Sequence, residues 1–229
     1  MAKKSSSPQV QERSFEHKNI NNYPFCKRRS NCIKNILERA LDIIGSLLLI
    51  IIFLPLFFII AVLIKMDNSR GPVFFFQKRC GKNGIEFNMY KFRTMVKEAE
   101  FLKRNLKNEI DGPMFKMKND PRVTRVGRFL RGWNLDELPQ CFNVLKGEMS
   151  LVGPRPLSDE EMDENSNWKK IRISVKPGLT GLWQIKGKGS GNFSDWIKYD
   201  IEYVEKKSLF MNIKILFLTV VTFFMNKDS

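Results

Sequence analysis

Histidine is almost absent from this chain. His17 is the only one, and it stands in a polar N-terminal segment. That excludes Ser-His-Asp and Cys-His catalysis and His-ligated metal centres. Cysteine is scarce too: Cys26, Cys32, Cys80 and Cys141 show no Cys-x-x-Cys spacing. Neither a zinc site nor a disulfide framework is indicated, and reduced thiols facing the cytosol are the expectation. Acidic residues are outnumbered, with 24 Asp and Glu against 39 Lys and Arg, a formal net charge of +15. That surplus requires an anionic partner: nucleic acid, anionic lipid or a phosphorylated substrate. An enzyme of this composition must work with carboxylates, lysines and arginines, with a hard cation such as magnesium as an option.

Only one long apolar run is present, Ile43 to Ile64. As a straight helix it would reach about 33 Å, enough to cross a bilayer core. Pro55 interrupts it, removing a backbone hydrogen bond and bending the helix. Basic residues flank both ends: Lys27, Arg28, Arg29, Lys34 and Arg39 before, and Lys65, Arg70, Lys78 and Arg79 after. Charge bias ordinarily places one end of a span in the cytosol. A helix that enters, breaks at Pro55 and returns to the same face satisfies both flanks; a Pro-kinked spanning helix is the alternative. Residues 1–32 read as a disordered basic tail. Their apolar run begins too late for a signal peptide.

The remainder, 67–225, reads as one α+β domain. Val73 to Gln77 and Ile85 to Phe92 form strands around a Gly81-Lys82-Asn83-Gly84 turn, a β-hairpin. In Tyr90-Lys91-Phe92-Arg93, Lys91 and Arg93 alternate with aromatics, giving one cationic strand face. Val96 to Ile110 reads as a charged helix ended by Asp111-Gly112-Pro113. Leu209 to Met225 is apolar but short, and contains Lys214. It reads as a helix packed on the domain or lying in the membrane interface.

The chemistry concentrates at Arg131 to Arg155. Asp136 and Glu137 are adjacent carboxylates in a basic segment, with arginines at 122, 125, 128 and 131 and Arg155 beyond. Carboxylates among guanidinium groups are expected to stay ionised with depressed pKa values. The cluster suits a phosphorylated anion, held by arginines while a carboxylate attacks it or holds a metal against it. Residues three apart on a helix drift by about 60° per step, so the four arginines spread over about half its circumference. Arg131 is the one nearest the carboxylates. A structural reading stands beside this one. Asn134 to Glu137 has capping-box spacing, Leu135, Leu138, Phe142 and Leu145 repeat helically, and Gly147 ends the run. Further on, Lys186-Gly187-Lys188-Gly189 would let backbone N–H groups approach a phosphate, a weak pattern.

Taken together, these segments resemble the monotopic bacterial phosphoglycosyl transferases, the bacterial sugar transferase family, over roughly residues 36–220. The likeness is carried by Gly71-Pro72-Val73-Phe74-Phe75 with Gln77 and Arg79, Tyr90 to Met95, and Leu135-Asp136-Glu137-Leu138. It continues through Gly147 to Pro156 and Lys176-Pro177-Gly178-Leu179-Thr180-Gly181. The resemblance implies transfer of a sugar 1-phosphate from a UDP-sugar to undecaprenyl phosphate with release of UMP. It also implies an aspartate nucleophile at Asp136, a requirement for Mg2+ with Glu137 and Asp136 as its ligands, and a re-entrant helix broken at Pro55. Phosphate-binding roles then fall to Arg131, Arg155, Lys91 and Lys188. Some relatives carry serine where Leu54 stands and arginine where Lys188 stands. Thr180 to Gln184 looks like members that transfer hexose phosphates such as glucose or galactose. The implied location is the bacterial inner membrane, with the domain facing the cytoplasm against anionic lipids. No nucleic-acid partner is expected, and homo-oligomerisation is left open. The rival reading is a non-catalytic, membrane-tethered basic protein that binds nucleic acid or scaffolds a polysaccharide assembly. It leaves an Asp-Glu pair amid arginines without a purpose.

Overall fold

A computed structural model describes residues 32–67, 71–104, 106, 117, 119–158, 161–162, 167–187 and 193–225. The N-terminal tail, Asp111-Gly112-Pro113 and Lys188 lie outside these residues. The fold is α+β. Helix α1 (Cys32–Asp67) is followed by an antiparallel hairpin of β1 (Phe74–Cys80) and β2 (Glu86–Phe92). Then come α2 (Ala99–Lys103), α3 (Arg125–Gly132), α4 (Gln140–Lys146), β3 (Ser150–Val152) and α5 (Asn167–Arg172). The chain ends with β4 (Gly178–Thr180), α6 (Leu182–Lys186), α7 (Phe193–Lys206) and α8 (Leu209–Met225).

The hairpin forms as its residues suggest. Its turn needs left-handed backbone, supplied by Asn83 (φ 60°) and Gly84 (φ 80°). The charged helix expected from Val96 is helical only over Ala99–Lys103 among the described residues. β3 and β4 pair in parallel, far apart in sequence. At their ends the chains almost touch: a Cβ on Gly178 would lie 2.0 Å from the Gly153 nitrogen. Only glycine permits that approach, which fixes the start of the loop carrying Arg155.

α1 has the length and apolarity to cross a membrane. Pro55 lies inside it and does not terminate it. Its inner face packs on the domain through Phe57, Ile60 and Ile64, against Phe92, Leu130 and Cys141. Each such side chain contributes roughly 1.5–3 kcal/mol on burial. Its outer face is apolar and open, with Ile44, Ile51, Ile52, Leu54, Phe58 and Met66 all exposed.

Polar bonds hold both ends of α1 to the same domain. Near the start, Arg39 donates to the Val144 and Leu145 carbonyls, each at 2.7 Å. Buried Asp42 accepts from Ser150 Oγ and from the Leu151 N–H, both at 2.8 Å. At the far end, Asp67 accepts from the Val126 N–H (2.9 Å), and Lys65 Nζ donates to the Gly71 carbonyl (3.1 Å). α8 buries Asn212 and Ile215 while Phe210, Ile213 and Phe217 stay exposed. It packs on the domain with one apolar face and presents another outward.

Candidate active site

Asp136 and Glu137 sit on a single 3-10 turn, Leu135–Glu137, between α3 and α4. This corrects the capping-box reading. Asn134 is left-handed (φ 53°) and its side chain caps nothing, and α4 begins only at Gln140. Gly147 does close α4 in the left-handed conformation, φ 89°. The turn is seated by Leu135 and Leu138, which pack into the same core as Phe57 and Ile60 of α1. The turn that carries the dyad thus shares a core with the long apolar helix.

The two carboxylates have opposite surroundings. Glu137 is gripped by Arg155 from eighteen residues downstream, Nη2 to Oε1 at 2.6 Å and Nη1 to Oε2 at 3.3 Å. Lys91 Nζ on β2 lies 3.7 Å from the same Oε1. Burial alone would raise the Glu137 pKa, but Arg155 and Lys91 overcome it and hold it at about 2. Asp136 departs from the expectation of a depressed pKa. Burial and the neighbouring Glu137 charge raise it, against the pull of Lys91, Arg131 and Arg155. Among the described residues, no ion pair or hydrogen bond occupies the Asp136 carboxylate.

Of the residues singled out as phosphate ligands, three converge. Lys91 and Arg155 hold Glu137. Arg131, at the end of α3, donates Nε to Thr94 Oγ1 at 2.9 Å, and its charge acts on Asp136. Lys188 is not among the described residues. The run of four arginines does not share one helix. Arg122 precedes α3 and is buried in a two-pronged pair with Asp120, at 2.9 and 2.7 Å. Arg125 and Arg128 are exposed on α3.

Behind Arg155 lies a buried polar layer that no local pattern announces. Arg79 pairs with Glu161, whose Oε2 also accepts the Ser158 N–H at 2.9 Å. Arg172 pairs with Asp200 and donates to the Arg155 main-chain carbonyl. Arg79 lies in a segment that carries the resemblance, and its partner Glu161 lies 82 residues downstream.

Chemically, the site offers a carboxylate with no direct partner among the described residues beside a paired one, both within reach of the Lys91, Arg131 and Arg155 charges. Among the described residues no cluster of three His, Cys, Asp or Glu side chains forms a metal cage.

The Bacterial sugar transferase family model matches residues 33–226. Galactosyl transferase CpsE of Streptococcus agalactiae is 43% identical over 81% of this chain and 41% of its own length. Undecaprenyl-phosphate galactose phosphotransferase of Salmonella typhimurium is 42% identical over 80% of this chain and 39% of its own. Exopolysaccharide production protein ExoY of Rhizobium meliloti is 36% identical over 86% of this chain and 89% of its own. The chain thus spans about two fifths of the first two relatives and nearly all of the third. With the match running from the start of α1 to the end of α8, the chain belongs to the bacterial sugar transferase family.

Proposed function

We propose that this protein transfers a sugar 1-phosphate, from a UDP-linked hexose such as glucose or galactose, to undecaprenyl phosphate. The observation that carries the reading is the Asp136 carboxylate, without a hydrogen bond or ion pair among the described residues, beside a Glu137 held by Arg155 and Lys91. A carboxylate kept for structure would itself be paired; one kept for attack must be free. The names of two relatives, a galactosyl transferase and an undecaprenyl-phosphate galactose phosphotransferase, support the substrate pair.

In the proposed reaction a carboxylate oxygen of Asp136 attacks the phosphorus next to the sugar. The bond from that phosphorus to the UMP oxygen breaks, and UMP leaves with the electron pair. The aspartyl phosphosugar is then attacked by a phosphate oxygen of undecaprenyl phosphate, which frees Asp136 and leaves a lipid diphosphate sugar. Arg131, Arg155 and Lys91 hold phosphate oxygens and offset the charge that builds on them. Lys188 is retained as a further phosphate ligand. Two adjacent carboxylates fit a hard, oxygen-seeking cation whose shell the diphosphate and water complete. Magnesium would be held by Asp136 and, through what Arg155 and Lys91 leave of its lone pairs, by Glu137. It would supply charge neutralisation at the departing UMP.

The acceptor lies in the bilayer and the donor in water, so the site belongs at the interface. The open apolar faces of α1 and α8 provide that seat. Basic flanks add about 1 kcal/mol per residue near anionic headgroups. We place the domain on the cytoplasmic face of the bacterial inner membrane, with α1 re-entrant. The polar tethers at Arg39 and Asp42 and at Lys65 and Asp67 support this, since a spanning helix would carry one of these ends across the bilayer.

Activity is tested by incubating the detergent-solubilised protein with a panel of UDP-sugars and undecaprenyl phosphate. UMP release is expected with a hexose donor, and labelled phosphosugar is expected to stay on the protein when lipid is withheld. Salt-sensitive DNA retention without turnover would instead support the non-catalytic rival. Topology is tested in a Cys26→Ser background. Exposed Cys32 and a Met66→Cys probe are expected to react with a membrane-impermeant maleimide from the same side of sealed vesicles. Labelling from opposite sides would establish a spanning helix.

A further inference from the structure

Arg172 is a buried cation that the proposed reaction does not use, 4% exposed at the end of α5. One of its nitrogens donates to the Asp200 carboxylate on α7, and another donates to the main-chain carbonyl of Arg155. The faces of the guanidinium lie against two indoles, with the Trp168 centroid at 5.0 Å and the Trp196 centroid at 5.4 Å. One planar group thus joins α5, α7 and the loop that carries Arg155. Only arginine combines two in-plane donors with faces that stack on aromatic rings. Burying it without these two acceptors would be costly, so the arrangement resists displacement.

The bond ends on a backbone atom of Arg155, whose side chain reaches the other way to Glu137. The rest of the loop is held by the sheet. Gly153 N–H donates to the Thr180 carbonyl (2.9 Å), Gly178 N–H to the Pro154 carbonyl (2.9 Å), and Cys80 N–H to the Leu157 carbonyl (2.8 Å). Within it, Arg172 is the side chain that takes the residue 155 carbonyl. We infer that Arg172, set by Asp200, Trp168 and Trp196, is a positioning residue: it fixes the backbone from which the Arg155 fork reaches Glu137 and the reacting phosphate. This rests on the assignment of Asp136, Glu137 and Arg155 to the transferase site.

The test is a double-mutant cycle on turnover by the full chain in detergent, at saturating UDP-sugar and undecaprenyl phosphate. Arg172→Lys keeps the charge but loses the fork. It is expected to lower kcat by about 10- to 100-fold, the scale of a small misplacement of a catalytic group, with KM for the UDP-sugar little changed. The residue 155 carbonyl survives in Arg155→Ala, but the fork is gone. In that background Arg172→Lys is expected to cost nothing further. A merely structural Arg172 would impose the same loss in both backgrounds, and that result overturns the inference. Should Arg172→Lys not fold, Asp200→Asn replaces it, with the same non-additivity expected at a smaller loss. Asp136→Asn is measured alongside. If it retains UMP release, the site itself is misassigned. If it is inactive while Arg172→Lys and Asp200→Asn turn over like the parent, only the positioning role fails.

Discussion

Asp136→Asn is expected to lower UMP release by at least about 10^4-fold, the scale seen when an enzyme loses its nucleophile, without destabilising the protein. Asparagine matches the shape of aspartate but cannot form an acyl phosphate under these conditions. The stability side follows from the raised pKa. Burial, then repulsion from Glu137, lift Asp136 above its ordinary 3.8. The folded protein therefore holds that proton more tightly than the unfolded chain. Stability lost to this group is absent below about 3.8 and accumulates as pH rises through the folded value. Asparagine never bears the charge, so the variant should equal or exceed the parent in thermal midpoint at neutral pH, and the two should converge in acid. The pair of measurements is UMP initial rate and melting temperature across pH. UMP release within a few-fold of the parent would end the case for covalent catalysis at Asp136. In the parent, turnover should rise with pH as this carboxyl loses its proton.

Glu137→Gln is expected to behave oppositely: inactive or nearly so, and less stable. Burial opposes the Glu137 charge, but Arg155 and Lys91 prevail and hold its pKa at about 2 against an ordinary 4.5. With its side chain only 17% exposed, solvent screens this little. The shift corresponds to roughly 3 kcal/mol of stability at neutral pH. That stability is fully present above 4.5 and is lost as pH falls toward 2. Removing the carboxylate also leaves Arg155 and Lys91 facing each other without a counter-charge, the costly way to break a buried pair. Denaturant titrations of parent and variant at several pH values should show a deficit that shrinks in acid. Equal stability at pH 7 would contradict the net depression of the Glu137 pKa. Two neighbouring carboxylates, changed in the same chemical manner, are thus expected to move stability in different directions.

Much of this was legible before any coordinates. The length and apolarity of Ile43 to Ile64, the Gly81 to Gly84 turn and the Gly147 cap each depend on residues near one another in the chain. The adjacency of Asp136 and Glu137 and the excess of cations pointed to phosphate chemistry. Helical periodicity was less dependable where tertiary contacts intervened. Leu135 and Leu138 satisfy a helical repeat, yet left-handed Asn134 makes their segment a 3-10 turn, and α4 starts later.

What composition and spacing determined was the kind of protein: a basic α+β domain on a long apolar helix, with adjacent carboxylates among arginines. Which carboxylate is paired, and which has no direct partner among the described residues, was decided only by the fold. Glu137 gains Arg155 and Lys91 from distant elements, and Asp136 loses water without gaining a hydrogen bond or ion pair among the described residues. The same holds for the buried link from Asp200 through Arg172 to residue 155. The physical reason is that desolvation and charge pairing depend on distance in space, and neighbours along the chain do not report which distant cation will arrive.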